Sequence, residues 1–320
     1  MKKILSKLYY YIVKLRLFLY KTGLLKSKNA QIPTFCVGNA NVGGSGKTPF
    51  TQFLVSRLIK LGYSPAILLR GYKGETKKAK IVDHNDTVRS VGDEAIMHHL
   101  KFNNGKSKTT PVIVSPNRFE GIKLIKEKVD CVVMDDGMQH LALKAHHYFL
   151  LIPKNLNNEQ MLPAGSLREP LKDALDRADT VVKVEKEIDF ECKNKDLNFK
   201  INSDKIIDLI SREQNQKLNS VDAICAIANP ENFKNSLRKL GVKINNFHSF
   251  KDHYKFKKQD IKRLNFPVIT TGKDAEKIAE FIKEPNKVFV LEQSYKLDNL
   301  DKLDSIIKDT IKDTAKDTIG

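Results

Sequence analysis

The chain has 320 residues, 41% of them hydrophobic and 29% charged: long enough for two domains with separate cores, and too apolar to be disordered. Its net charge of +18 is lopsided, because no Asp or Glu precedes Glu75 while Lys and Arg recur through that span. The asymmetry favours an anionic partner (nucleic acid, an acidic membrane surface or a phosphorylated substrate), with lysine-rich compositional drift as the plain alternative.

The chain opens on an apolar segment, ILSKLYYYIVKLRLFLYKTGLL (residues 4–25). Lys7, Lys14, Arg16 and Lys21 interrupt it, so it is neither a bilayer span nor a secretory signal. On a helical wheel Lys3, Lys7, Lys14 and Lys21 fall within about 40° of one another, beside Leu, Ile, Phe and Tyr. Such a helix suits the headgroup layer of an anionic membrane, lying on the bilayer; packing on the protein's own core is the alternative.

Next, TFCVGNA (34–40) reads as a buried strand, followed by a glycine-rich loop and the helix PFTQFLVSRLIKLG (49–62). SPAILLRGY is a second strand, and a helix starts near GDEAIMHHL. TPVIVS is a strand, NRFEGIKLIKEK a helix and VDCVVMDD a strand; HHYFLLIP and DTVVKVE add two more. Strands alternating with helices, several of them apolar on both faces, predict an α/β fold built on a parallel sheet with right-handed crossovers. The polar stretch 191–219 reads as a hairpin or linker. A smaller α/β domain (220–306) follows, with VDAICAIAN, FPVITT and KVFVLE as strands and ENFKNSLRKLG and KDAEKIAEFI as helices. Residues 307–320 carry the repeat IKDT-IKDT-AKDT, read as a frayed or helical polar tail without chemistry. The expected organisation is therefore a docking helix (1–28), a phosphate-loop domain (29–190), the linker, the smaller domain and the tail. Cys36, Cys131, Cys192 and Cys225 show no metal-ligand spacing; Cys36, Cys131 and Cys225 lie in apolar strand-like runs and read as reduced core residues of a cytosolic protein.

The loop VGNANVGGSGKTPF ends as a phosphate-binding loop should, although Asn41 stands where the strict pattern wants glycine. Strand, loop and helix would place backbone N–H groups and a positive helix end around a polyphosphate. Lys47 would reach the β- and γ-phosphates, and the Thr48 hydroxyl a Mg²⁺ ion. Asp135 and Asp136 close the strand CVVMDD at the edge where α/β sheets bind ligands. Two adjacent carboxylates there suggest a cation between them; a plain Asp-Asp-Gly turn is the alternative. These features serve GTPases, ATPases and small-molecule kinases alike. Guanine recognition would want [NT]-K-x-D, and Thr271-Gly272-Lys273-Asp274 has its lysine one place late.

The ordered set VGNANVGGSGKTP, RGYKG, VGDEA, DDGMQH, LPAGSLREP, NPENF and DHY resembles the tetraacyldisaccharide 4′-kinase family of the lipid A pathway, over about 270 residues. The family's loop likewise lacks the first glycine. Leu69, Ala95 and Gly272 depart from its usual Ser, Pro and Glu, and the last leaves the role of the TGKD loop open. The resemblance implies ATP on Asn41, Val42, Gly43, Gly44, Ser45, Gly46, Lys47 and Thr48, with Mg²⁺ at Thr48, Asp135, Asp136 and Glu169. It implies Asp93 as general base, against the simpler reading of a helix cap, and His253 as its partner from across a cleft between domains. Arg70, Arg118 and Arg168 are then candidates for binding the phosphate on the lipid or those of ATP, the guanidinium forks matching phosphate, and His140 is a substrate contact or a structural partner of the aspartates. The implied reaction phosphorylates the 4′-hydroxyl of a tetraacylated glucosamine disaccharide 1-phosphate. The enzyme would be a monomer peripheral to the cytoplasmic face of the bacterial inner membrane. A membrane-associated ATPase with no lipid acceptor is the alternative. Nucleic acid is not expected, for no base-stacking aromatic cluster accompanies the charge.

Overall fold

The computed structural model describes residues 1–103, 109–153, 160–184, 196–211, 213–214, 218–252, 254–282 and 284–317. The chain divides into two compact units, Met1–Lys200 with Lys296–Gly320, and Ile201–Tyr295.

The first unit opens with α1 (Lys2–Lys21), then β1 (Thr34–Gly38), α2 (Lys47–Lys60), β2 (Pro65–Leu69), α3 (Asp93–Asn103), β3 (Val112–Val114), α4 (Arg118–Lys123) and β4 (Cys131–Asp135). It continues through β5 (His147–Pro153), α5 (Leu171–Arg177), β6 (Thr180–Val184) and the start of β7 (Asp196–Asp208). Across the sheet the order is β7–β6–β5–β1–β4–β2–β3, all parallel, with Lys80–Ile81 antiparallel at the far edge. β1, β2 and β4 are buried along their whole length, as the uninterrupted apolar runs require of strands covered on both faces. β1 is central: the chain leaves it toward β2 on one side, while β5, β6 and β7 build the other, so the loop after β1 lies at a topological switch point.

One face of this sheet is anchored by Phe50 of α2, whose ring meets Phe149 of β5 at 5.3 Å and Phe199 of β7 at 5.2 Å, edge to face. All three are fully buried, and burying one such ring contributes about 1.5–3 kcal/mol. Phe199 explains why the segment expected as a hairpin or linker contains a strand. Leu197 and Phe199 alternate with polar neighbours, a period-two signal diluted by the surrounding Lys and Asn. The last helix, α8 (Leu300–Asp317), also belongs to this unit, with Arg57 of α2 gripping Asp304 through both carboxylate oxygens. The IKDT repeat is thus largely helical. A four-residue period stacks apolar side chains along one helix face, and Ile307 is fully buried there.

The second unit contains β8 (Ser220–Cys225), α6 (Pro230–Lys239), β9 (Lys243–Ser249), β10 (Val268–Thr271), α7 (Gly272–Ala279) and β11 (Val288–Leu297), whose last residues re-enter the first unit. Its parallel order is β9–β8–β10–β11. β9 was not foreseen, because its sequence KINNFHS carries two asparagines and a half-exposed pattern typical of an edge. Cys36, Cys131 and Cys225 are buried free thiols, raised in pKa chiefly by burial, which fits inert core residues; Cys192 lies outside the described residues.

Candidate active site

β1 and β4 run side by side, with Val37 opposite Asp135, so the loops that follow them leave the same edge together. Their approach is close. A Cβ on Gly38 would stand 2.4 Å from the Cβ of Met138, which only glycine avoids. The loop after β1 then climbs to Gly46, the N-cap of α2, whose left-handed φ of 79° again suits glycine.

What shapes that loop is Asn39, a residue the sequence did not single out. Fully buried, its amide donates to the Asn41 carbonyl (2.7 Å), Asn41 Oδ1 (3.1 Å) and Ser45 Oγ (2.6 Å), while its Oδ1 accepts from Lys47 Nζ (3.2 Å). Asn41, which breaks the strict loop pattern, is therefore part of the internal bracing. Val42, Gly43 and Gly44 are exposed at the loop's crest, Ser45 is buried beneath it, and Thr48 is half-buried in the first turn of α2.

A second segment, residues 161–168, clasps the outside of this loop. Arg168 N donates to Ala40 O (2.7 Å), Val42 N donates to Ser166 O (2.7 Å), and Asn41 bridges Leu167. The clasp delivers Arg168, whose Nη1 meets both oxygens of Asp136 at 3.1 and 2.9 Å; Lys47 Nζ stands 3.8 Å from the same carboxylate. Burial alone would raise the Asp136 carboxyl, but Lys47 and Arg168 outweigh it and hold the group below the usual carboxylate range. Gln139, also not anticipated, ties the layers together by donating to Asn39 O (2.7 Å) and Glu169 Oε1 (3.0 Å).

The adjacent aspartates have different partners. Asp136 takes a left-handed φ of 55°, while Asp135, almost fully buried, meets His98 Nε2 of α3 at 2.9 Å. Glu169 is held by Arg177 (2.6 Å) and Gln139. Among the described residues no three His, Cys, Asp or Glu side chains converge as a metal cage, so the expected ligand set of Asp135, Asp136 and Glu169 is not assembled as one cluster. The physical reason is that Asp136 and Glu169 already have arginine partners. Asp135 differs: its Oδ1 is buried and has no hydrogen-bond partner among the described residues. A Mg²⁺ ion needs only one or two carboxylates beside phosphate and water, so the residues present still fit it.

Asp93 opens α3, is buried, and accepts from the Glu94 N–H at 3.0 Å. Arg118, at the start of α4, is also buried; Nη1 donates to Ser115 O (2.8 Å) and Nε has no partner among the described residues. Burial and the neighbouring Arg70 push its pKa down to about 10. Arg70 itself is exposed just past β2. Two guanidiniums gathered where one is buried make a receptive spot for an anion. His140 is pushed down to about 4 by burial and by Arg118, Arg16 and Arg70, so its imidazole is neutral near pH 7. His253 lies outside the described residues.

α1 rests on this machinery. Ser6 Oγ donates to Met161 O (2.7 Å), Tyr9 OH to Arg168 O (2.9 Å), Arg16 Nη2 to Gln139 O (3.1 Å), and Lys14 pairs with Asp173 (2.9 Å). Tyr9 and Val13 pack against Met138, Met161 and Leu167. The opposite face carries Ile4, Leu8, Tyr11, Leu15 and Phe18, each more than half exposed. The lysine stripe runs along the border between the two faces, with Lys14 turned to the protein rather than outward.

A parallel sheet whose central strand feeds a braced glycine loop, a lysine and a helix N-terminus, with carboxylates ending the next strand, defines a nucleotide-dependent phosphoryl-transfer protein. The chain belongs to the tetraacyldisaccharide-1-P 4′-kinase family, matching it across residues 2–312. The tetraacyldisaccharide 4′-kinase of Pseudoalteromonas translucida is 31% identical over 315 residues, 95% of this chain and 91% of that one. That of Coxiella burnetii is 34% identical over 287 residues, 87% and 82% of the two chains. Among solved structures, LpxK from Aquifex aeolicus, an "apo" form in complex with ATP, is similar with a TM-score of 0.81 and 31% identity, over 96% of this chain and 97% of that one.

Proposed function

We propose that this chain transfers the γ-phosphoryl group of ATP to the 4′-hydroxyl of a tetraacylated disaccharide 1-phosphate, the lipid A precursor. The observation that carries the reading is the braced loop, which presents Lys47 beside the strand end that bears Asp135 and Asp136. ATP lies with its phosphates over residues 41–48, and Arg168, drawn to Asp136, is placed to meet phosphate charge. Thr48 and the unpartnered Oδ1 of Asp135 would hold Mg²⁺, which offsets charge on the β- and γ-phosphates.

Asp93 accepts the proton of the 4′-hydroxyl as the sugar oxygen bonds to the γ-phosphorus. The bond to the bridging oxygen breaks, and ADP leaves with its electron pair. A sugar alcohol keeps its proton near neutral pH, so an oriented carboxylate is of use, and the N-terminus of α3 favours an anion there. Arg118 and Arg70 would bind phosphate, on the lipid or on ATP. The neutral His140 offers hydrogen bonding without adding charge.

No described helix is long and apolar enough to cross a membrane. The outward apolar face of α1, bordered by Lys3, Lys7 and Lys21, suits partial burial in an anionic leaflet, with Tyr11 at headgroup depth. We place the protein on the cytoplasmic face of the inner membrane, where ATP is supplied. Purified protein incubated with labelled ATP, Mg²⁺ and the disaccharide 1-phosphate in detergent is expected to label the lipid. ATP hydrolysis without labelled lipid would instead favour an ATPase.

A further inference from the structure

His98 lies on α3 five residues beyond Asp93, about 7.5 Å along the helix axis, and is fully buried. Its Nε2 is 2.9 Å from Asp135 Oδ2. A carboxylate can only accept, so Nε2 carries the hydrogen and donates. Two buried atoms are left over, Asp135 Oδ1 and His98 Nδ1, neither with a hydrogen-bond partner among the described residues.

That imbalance distinguishes Asp135 from its neighbours. Asp136 has both oxygens engaged by Arg168, and Glu169 has one on Gln139 and one on Arg177. A buried pair serving stability alone gains by satisfying every lone pair, because an unfilled acceptor costs its desolvation. Asp135 instead keeps one oxygen pinned and the other bare at the strand edge that carries the phosphate loop. The pinning group comes from the helix that begins with Asp93.

We propose that His98 is a positioning residue: its bond to Asp135 Oδ2 turns Oδ1 toward the divalent cation and fastens the helix of Asp93 to the cation-bearing strand. This rests on the reading that a nucleotide and Mg²⁺ occupy this edge. Groups that orient a ligand typically contribute 10- to 100-fold in metal affinity.

The test uses full-length protein, a non-hydrolysable ATP analogue and Mn²⁺ in place of Mg²⁺, with free Mn²⁺ read by its electron paramagnetic resonance signal. His98→Leu is expected to weaken Mn²⁺ binding by about tenfold or more, with metal-free binding of the analogue kept within about threefold. His98→Gln, whose amide can donate as Nε2 does, should restore the affinity. Mn²⁺ bound by His98→Leu as tightly as by wild type would overturn the proposal. So would a folded His98→Gln as weak as His98→Leu. If His98→Leu does not fold, His98→Asn replaces it: its shorter amide falls short of Asp135, so equal affinity in the Asn and Gln variants is the overturning result. Wild-type protein that binds no Mn²⁺ in the presence of the analogue would refute the underlying nucleotide reading instead, which separates the two failures.

Discussion

Asn39→Ala offers the most direct trial of how the phosphate loop is held. The side chain is fully buried and its two amide hydrogens serve the Asn41 carbonyl, Asn41 Oδ1 and Ser45 Oγ. Removing it leaves these loop acceptors without their internal donor. At a net value near 1 kcal/mol per hydrogen bond, two donations lost come to about 2 kcal/mol. The bond from Lys47 to Asn39 Oδ1 is left out of that sum, because the freed ammonium can turn to phosphate. If the bracing preorganises the loop for its ligand, 2 kcal/mol appears as a roughly thirtyfold weaker Kd. Fluorescent ATP-analogue titration would measure it, with thermal unfolding of the free protein as the check on folding. Asn39→Asp should be worse, because it cannot donate and sets a carboxylate against Lys47 in competition with phosphate. Binding by Asn39→Ala within about threefold of wild type would refute the bracing role.

Asp93→Ala should lower kcat by about 10²-fold or more while leaving analogue affinity unchanged; near-normal turnover would remove Asp93 as base. His140 predicts a pH effect. Its folded pKa, about 4, lies below the ordinary 6.5, so the unfolded chain takes up a proton that the folded one refuses. Wild type should therefore lose stability relative to His140→Gln as pH falls from about 6.5 to 4, by on the order of 1–2 kcal/mol, and show no such divergence above pH 7. Parallel denaturant-midpoint curves across that range would contradict the shift. On α1, Leu8→Glu with Leu15→Glu should cut binding to anionic vesicles more than tenfold, since each leucine withdrawn from lipid forfeits about 1.5–3 kcal/mol. Analogue binding should survive, because both side chains point away from the protein; unchanged vesicle flotation would rule out that face as the docking surface.

The parts of the site visible in the sequence are those whose chemistry is local. Gly46, Lys47 and Thr48 announce themselves because a phosphate loop needs backbone freedom, a cation and a hydroxyl at set spacings between strand and helix. The apolar run ending in Asp135 and Asp136 likewise marks a buried strand and its edge. Gln139 and His98 stayed hidden because each meets a group far away in sequence, while Asn39 and Arg177 meet near neighbours only through a loop path that no pattern encodes. His98 reads as one of two histidines on an ordinary amphipathic helix until β4 is laid beside it. The strand at 196–208 and the edge strand 243–249 were obscured by polar residues, whose alternation matters only once a neighbouring strand supplies the ladder. The helix at 300–317 shows the reverse: its repeat is plain in the sequence, but composition alone does not reveal that Ile307 has a core to enter.

The clasp of residues 161–168 has one face against the N-terminal helix and the other against the nucleotide loop, through Tyr9 to Arg168 O and Arg168 N to Ala40 O. A single layer of backbone therefore separates that helix from the loop. The N-terminal helix is thus unsafe to trim, because cutting it away takes a hydroxyl from the very carbonyl beside which Arg168 leaves the chain.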